Sequence, residues 1–191
     1  MTYRDAIKLV EKRSLELGLD PQLGLKIPID DEKITLLQQV CCNHLIQTLL
    51  HRYQPGDWGQ QCLNIAAQTF AIFQHWEIPC ELVFGEVNIN GTDEYGTTLE
   101  GLLAEYKHGY TENAFAIHVW VNIGKDYIID PTISSRINKY YDPNCPQNLV
   151  INGTAKTLDR TMRLKYKPIL AGVKYLERTC DIPLEYKISL A

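Results

Sequence analysis

An α+β fold follows from three observations on this sequence. Up to Pro79, apolar residues recur at three- and four-residue spacing, the mark of helices that pack by one face. Residues 115–130 instead read as strand, turn and strand, with β-branched and aromatic residues on both sides of Gly124-Lys125-Asp126 and Pro131 stopping the second run. A length of 191 residues makes one domain with a helical N-terminal part, long enough to bury a real core. We expect a single unit over 1–191: an N-terminal pair of helices in 1–53, a central part in 57–132, and a C-terminal extension of the sheet with a short helix in 133–191.

Composition narrows the function classes. With 22% charged residues, a formal net charge of −4 and no basic stripe with interleaved aromatics, nucleic acid is excluded as a partner. No apolar run approaches the length of a membrane span, and Met1-Thr2-Tyr3-Arg4-Asp5 is charged without a following apolar stretch. The expectation is a cytoplasmic protein with no membrane partner. Six Cys without paired short spacings fit a reduced compartment rather than a disulfide framework. The Asn-Gly-Thr sequons at Asn90 and Asn152 then read simply as turns.

In chain order, Ile7, Val10, Leu15 and Leu17 lie among charges in a first helix that Gly18 ends. Leu19 to Ile29, with two prolines, reads as a connector. Asp30 or Asp31 caps a second helix, whose stripe is Ile34, Leu37, Cys41, Leu45 and Leu49. Cys41, Cys42, His44 and His51 on this helix lack tetrahedral-site spacing and read as packing, not as a metal site. Gln54-Pro55-Gly56-Asp57 breaks the helix. A third helix begins at Cys62, carries Leu63, Ala66, Ala67, Phe70, Phe73 and Trp76 on one stripe, and ends before Pro79.

Cys80 to Ile89 reads as a strand with Leu82 and Phe84 inward and Asn90-Gly91 as its turn. Thr92 to Asn113 is a Gly-rich, acidic excursion with helical character at Leu99 to Tyr106, of the kind that selects substrate. Beyond Asp130, Ile133 to Gln147 reads as irregular. Leu149 to Ile151 and Arg163 to Tyr166 read as strands, Ile169 to Arg178 as a helix and Leu184 to Ile188 as an edge strand.

The central hairpin carries the chemistry. On its first strand Val119, Val121 and Ile123 face one way, and His118, Trp120 and Asn122 the other. Burying the valines with Tyr127 and Ile129 requires an odd loop, because a slip of one residue flips every side chain. That register puts Asp130 opposite Trp120 and diagonal to His118, within reach of its imidazole. A carboxylate on one ring nitrogen fixes the tautomer and leaves the other nitrogen as a base. Taken singly, His118 and Asp130 also fit an ordinary buried strand.

Cys62 is the one cysteine placed at a helix N-terminus, where the macrodipole and unpaired amides favour the thiolate. Cys62, His118 and Asp130 then form nucleophile, base and orienter in chain order.

Four motifs carry a resemblance: Gly59-Gln60-Gln61-Cys62, Trp76-Glu77-Ile78-Pro79, His118-Val119-Trp120-Val121 and Asp130-Pro131-Thr132. Over residues 57–132 the chain resembles the transglutaminase-like superfamily of papain-fold cysteine enzymes. It departs from the family's G-x-C by one additional residue before Cys62, and its segment between Ile89 and Ala114 is longer than a minimal member needs.

The resemblance implies a papain/transglutaminase-like core and a triad of nucleophilic Cys62, base His118 and orienting Asp130. It implies no cofactor and no metal, a protein or peptide substrate, and attack on a peptide or Gln carboxamide through a thioester, as protease, amidase, deamidase or transglutaminase. The Cys62 amide would face the oxyanion, with Gln60 or Trp58 as a second donor. Trp120 would shield the His118–Asp130 pair or only pack beside it. Two alternatives stand beside this reading: a scaffold that keeps the fold without turnover, and an acyl-CoA-dependent N-acyltransferase with the same Cys-His-Asp order.

Overall fold

The computed structural model describes residues 1–23, 30–53, 58–109, 117–182 and 184. Within them the chain is α+β, with helices on both faces of a six-stranded antiparallel sheet ordered β2-β1-β3-β4-β5 and β6 on β1. The expected break at Gln54 to Asp57, the first residues of the 115–130 strand, and nearly all of the Leu184 to Ile188 strand lie outside the described residues. Among the described residues, no helix is long and apolar enough to cross a membrane.

Helix α1 spans Tyr3–Glu16 and is opened by a Thr2/Asp5 capping box, two reciprocal bonds that satisfy amides the first turn leaves unpaired. It buries Ile7 and Val10 but also Ser14, whose hydroxyl accepts from the Ala171 amide, while Leu15 is exposed. The sequence stripe therefore had one member on the wrong face. Asp30 caps α2 (Asp31–Val40), and a π turn (Cys41–Leu45) joins it to α3 (Ile46–Arg52). Leu37, Cys41, Leu45 and Leu49 stay buried across that turn.

A 3-10 turn (Trp58–Gln60) precedes α4 (Cys62–His75). Strand β1 (Glu81–Ile89) follows, then the Asn90-Gly91 turn with both residues at positive φ, the conformation a two-residue hairpin needs, and β2 (Thr92–Asp93). Helix α5 (Leu99–His108) confirms the helical character read in the excursion.

β3 (His118–Ile123) and β4 (Tyr127–Asp130) pair with Val121 opposite Ile129 and Ile123 opposite Tyr127, the register that burial of the valines demands. Both faces of this hairpin are buried, however, where one-sided burial was expected. Val119, Val121, Tyr127 and Ile129 pack with Ile65, Phe73 and Phe84 under α4. Trp120 and Ile128 pack on the other side with Ile7, Val10, Leu158 and Tyr166. Alternation alone could not reveal the second layer, because its helices are remote in sequence.

Four further readings need correction. Ile133–Tyr140 is a helix, α6, not an irregular segment; Ile133 and Ile137, four apart, bury one side of it. Strand β5 is Ile151–Thr154, so Asn152-Gly153 lies in a strand rather than a turn. Helix α7 (Ala155–Met162), capped by Thr154, follows it. Strand β6 runs from Leu164 to Ala171, taking residues 169–171 from the expected helix, and α8 is only Val173–Thr179. Pairing with β1 over seven positions holds this segment extended in spite of Pro168.

β1 organises the sheet. β6 lines one edge of it from Val83 to Ile89, while β3 takes the other edge at Glu81–Gly85 and β2 takes that edge again at Asn88–Ile89. Gly85 lies at the changeover, opposite His118 and beside a register shift against β6. A Cβ there would sit 2.2 Å from the Lys167 carbonyl oxygen and 2.9 Å from the Trp120 ring. Gly85→Ala should therefore lower stability by about 1–3 kcal/mol through overpacking, measured as a shift in the urea midpoint at unchanged m-value.

Candidate active site

The hairpin brings His118 and Asp130 together. Nε2 of His118 lies 2.6 Å from Oδ2 of Asp130, and both side chains are fully buried. Pro131 ends β4, so the chain turns at once into α6 and Asp130 sits beside that helix's first amides. Its Oδ1 accepts from the amides of Thr132 and Ile133, each at 3.0 Å, and from the Thr132 hydroxyl at 3.2 Å. Its Oδ2 also accepts from the Tyr166 hydroxyl at 3.0 Å. Five donors converge on one buried carboxylate, which favours its ionised form.

Burial is the largest influence on Asp130 and pushes its carboxyl up, but the His118 charge and these hydrogen bonds outweigh it and hold the group below the ordinary range. Burial is likewise the largest influence on His118 and favours the neutral ring. The Asp130 carboxylate, with a further contribution from the Cys62 side chain, overcomes it and raises the imidazole to about 9. His118 Nδ1 is buried without a hydrogen-bond partner among the described residues. That nitrogen is an unused donor or acceptor at the cost such groups carry.

Cys62 begins α4 and is partly exposed. Its side chain is near enough to His118 to act on the ring's protonation, and in the resting arrangement Sγ donates to the Ile117 carbonyl at 3.4 Å. Thr2, Asp30, Thr98 and Thr154 cap their helices with side-chain oxygens, whereas Gln61 at the head of α4 makes no such bond. Among the described residues no N-cap side chain takes up the first amides at the thiol. Burial raises the thiols of Cys41, to about 12, and of Cys80, Cys145 and Cys180.

Of the other residues singled out from sequence, Trp58 is buried with its indole N–H on the Tyr53 carbonyl at 3.5 Å. Gln60 is exposed in the turn before Cys62. Trp120 is buried, its ring 6.0 Å from His118 and 5.1 Å from Tyr166, and its N–H donates to the Tyr3 hydroxyl at 2.9 Å. Among the described residues no group of three or more His, Cys, Asp or Glu is arranged to hold a metal.

Four residues around the site, Tyr166, Tyr95, Arg136 and Glu86, were not found from sequence. Tyr166 arrives on β6, which nothing local ties to β4. Tyr95 stacks on His118 with ring centroids 4.5 Å apart and planes 14° apart, and Arg136 covers its other side at 4.7 Å. Glu86, buried in β1, holds Tyr95 there: its carboxylate accepts from the amides of Val87, Glu94, Tyr95 and Thr97 at 2.8–3.1 Å. The available signal for Glu86 was a charge in the interior of a mainly apolar strand.

Because the folded pKa of His118 stands above the unfolded value of about 6.5, its contribution to stability is complete below that pH and is lost as pH rises through about 9. Glu81, which burial pushes up to about 7, loses its contribution in a lower window. The melting temperature should fall between roughly pH 7 and 9, and Asp130→Asn should remove that fall. Imidazole NMR should place the His118 titration of Asp130→Asn at least about one unit lower; an unmoved titration would mean that the carboxylate does not govern the ring. Comparison with family models, with curated proteins and with solved structures gave no match to this chain.

Proposed function

We propose that this chain is a transglutaminase-like thiol enzyme with a papain-type core, which attacks an amide carbonyl through Cys62. One observation carries the reading. A buried imidazole has one nitrogen held by an ionised carboxylate and the other without a partner among the described residues, and a thiol at a helix start with no side-chain cap is near enough to influence it. A purely structural histidine would be expected to use both nitrogens or to reach solvent.

In the proposed reaction the Cys62 thiolate adds to the carbonyl carbon while His118 carries the proton. The tetrahedral oxyanion faces the first amides at the head of α4, and one such donor is worth about 3 kcal/mol. The C–N bond then breaks, the leaving nitrogen takes the proton from His118, and a thioester remains on Cys62. Water or an amine gives its proton to His118 as it attacks the thioester, and the thiolate leaves. Asp130 stays ionised throughout and keeps the ring oriented.

Mass spectrometry after brief treatment with iodoacetamide at pH 6 should find Cys62 modified ahead of the other cysteines. In wild type the rate should change near pH 9, where His118 loses its proton. His118→Ala should label slowly at pH 6, with a rate that rises about tenfold per pH unit as for an ordinary thiol. Incubation with a Gln-containing peptide library, with and without a primary amine, should yield cleavage, deamidation or amine incorporation. That product should be lost in Cys62→Ala and reduced by about 10²–10⁴-fold in His118→Ala. Uniform labelling of the exposed cysteines and an unmodified library would leave a non-catalytic scaffold.

A further inference from the structure

A cleft of about 250 Å³ is lined by Tyr95, Gly96, Thr97, Thr98, Gly101, Leu102 and Ile117. Two of these residues tie it to the site: Ile117 accepts the Cys62 thiol on its carbonyl, and Tyr95 stacks on His118. The rest come from the excursion between β2 and β3 and from the first turn of α5. Among the described residues that line it, none is charged. Leu102, Ile117, the Tyr95 ring and the threonine methyls give it a mostly apolar surface. The Thr98 hydroxyl is already occupied in accepting from the Gly101 amide at 3.1 Å.

Its walls are held in advance of any ligand. Glu86 binds the amides of Glu94, Tyr95 and Thr97 from within the sheet, and Arg136 bonds the Glu94 carboxylate and carbonyl from α6 while covering Tyr95. The volume lies below the roughly 300–1,000 Å³ that drug-sized ligands occupy and suits a single side chain.

We propose that this cleft is a substrate subsite that takes one uncharged, mainly apolar side chain next to the bond that Cys62 attacks. The inference rests on the thiol-enzyme reading and adds the chemical class of the group selected. A charged side chain entering the cleft would lose hydration with no opposite charge among the described lining to replace it. An alkyl group would gain from leaving water.

The probes are chloroacetamide and its N-butyl, N-(2-carboxyethyl) and N-(2-aminoethyl) derivatives. In each case the Cys62 thiolate sulfur bonds to the methylene carbon, the C–Cl bond breaks and chloride leaves, while His118 keeps its proton. N-butyl chloroacetamide should label Cys62 with saturating kinetics and about tenfold faster at low concentration than chloroacetamide, the worth of burying two or so CH₂ groups. The two charged derivatives should show no gain.

Gly101→Leu fills the cleft from a helical position where Leu is the better helix former, and its first carbon meets only Thr98 Oγ1, at 3.3 Å. It should abolish the N-butyl gain, read as the ratio of the N-butyl and chloroacetamide rates within the same variant. Unreactive N-butylacetamide should slow labelling of wild type by the N-butyl reagent, a readout that needs no variant. Equal rates for neutral and charged reagents, no competition, or a gain that survives in Gly101→Leu would overturn the subsite while Cys62 remained selectively reactive. Failure of chloroacetamide to select Cys62 would overturn both the subsite and the reading beneath it.

Discussion

The contact between His118 and Asp130 is the constraint around which the site and much of the sheet are arranged. An ionised carboxylate and an imidazole, both fully buried at 2.6 Å, are costly unless every lone pair and proton finds a partner. The chain meets that demand from three directions: the first amides of α6, the Thr132 hydroxyl and Tyr166 on β6. Each donor comes from an element whose position is fixed for other reasons. The pair is thus clamped both by the chain that follows Asp130 and by a strand remote from it in sequence. Among the described residues Nδ1 of His118 is left without a partner, and it is the atom that proposed chemistry would use.

Where the site lies follows from the sheet. One edge of β1 is shared by β3 and β2, and the changeover between them leaves a gap at Glu86 and Val87. Glu86 is in that gap, and its carboxylate replaces the missing strand as acceptor for the amides of the chain leaving β2. A buried charge bonded to four amides makes a rigid anchor of what would otherwise be a free loop. Tyr95 is the consequence: a ring held between His118 and Arg136, closing one side of the imidazole. On the other side of the site, α4 begins with the thiol of Cys62, and its N-cap, Gln61, makes no side-chain bond to the helix.

Local sequence determined the hairpin register, and with it the meeting of His118 and Asp130, because side chains alternate strictly along a strand and the apolar set must share a side. It likewise determined the stripes of α2, α3 and α4, the Asn90-Gly91 turn and the helix start at Cys62, each governed by interactions a few residues long. Tertiary structure decided the rest. Residues 169–171 became strand rather than helix because β1 offered them a partner some eighty positions away, and both faces of β3 and β4 were buried because α1 and α7 returned to cover the second one. Tyr166, Tyr95 and Glu86 joined the site through contacts between segments with no sequence proximity, which periodicity and propensity, being local averages, do not record.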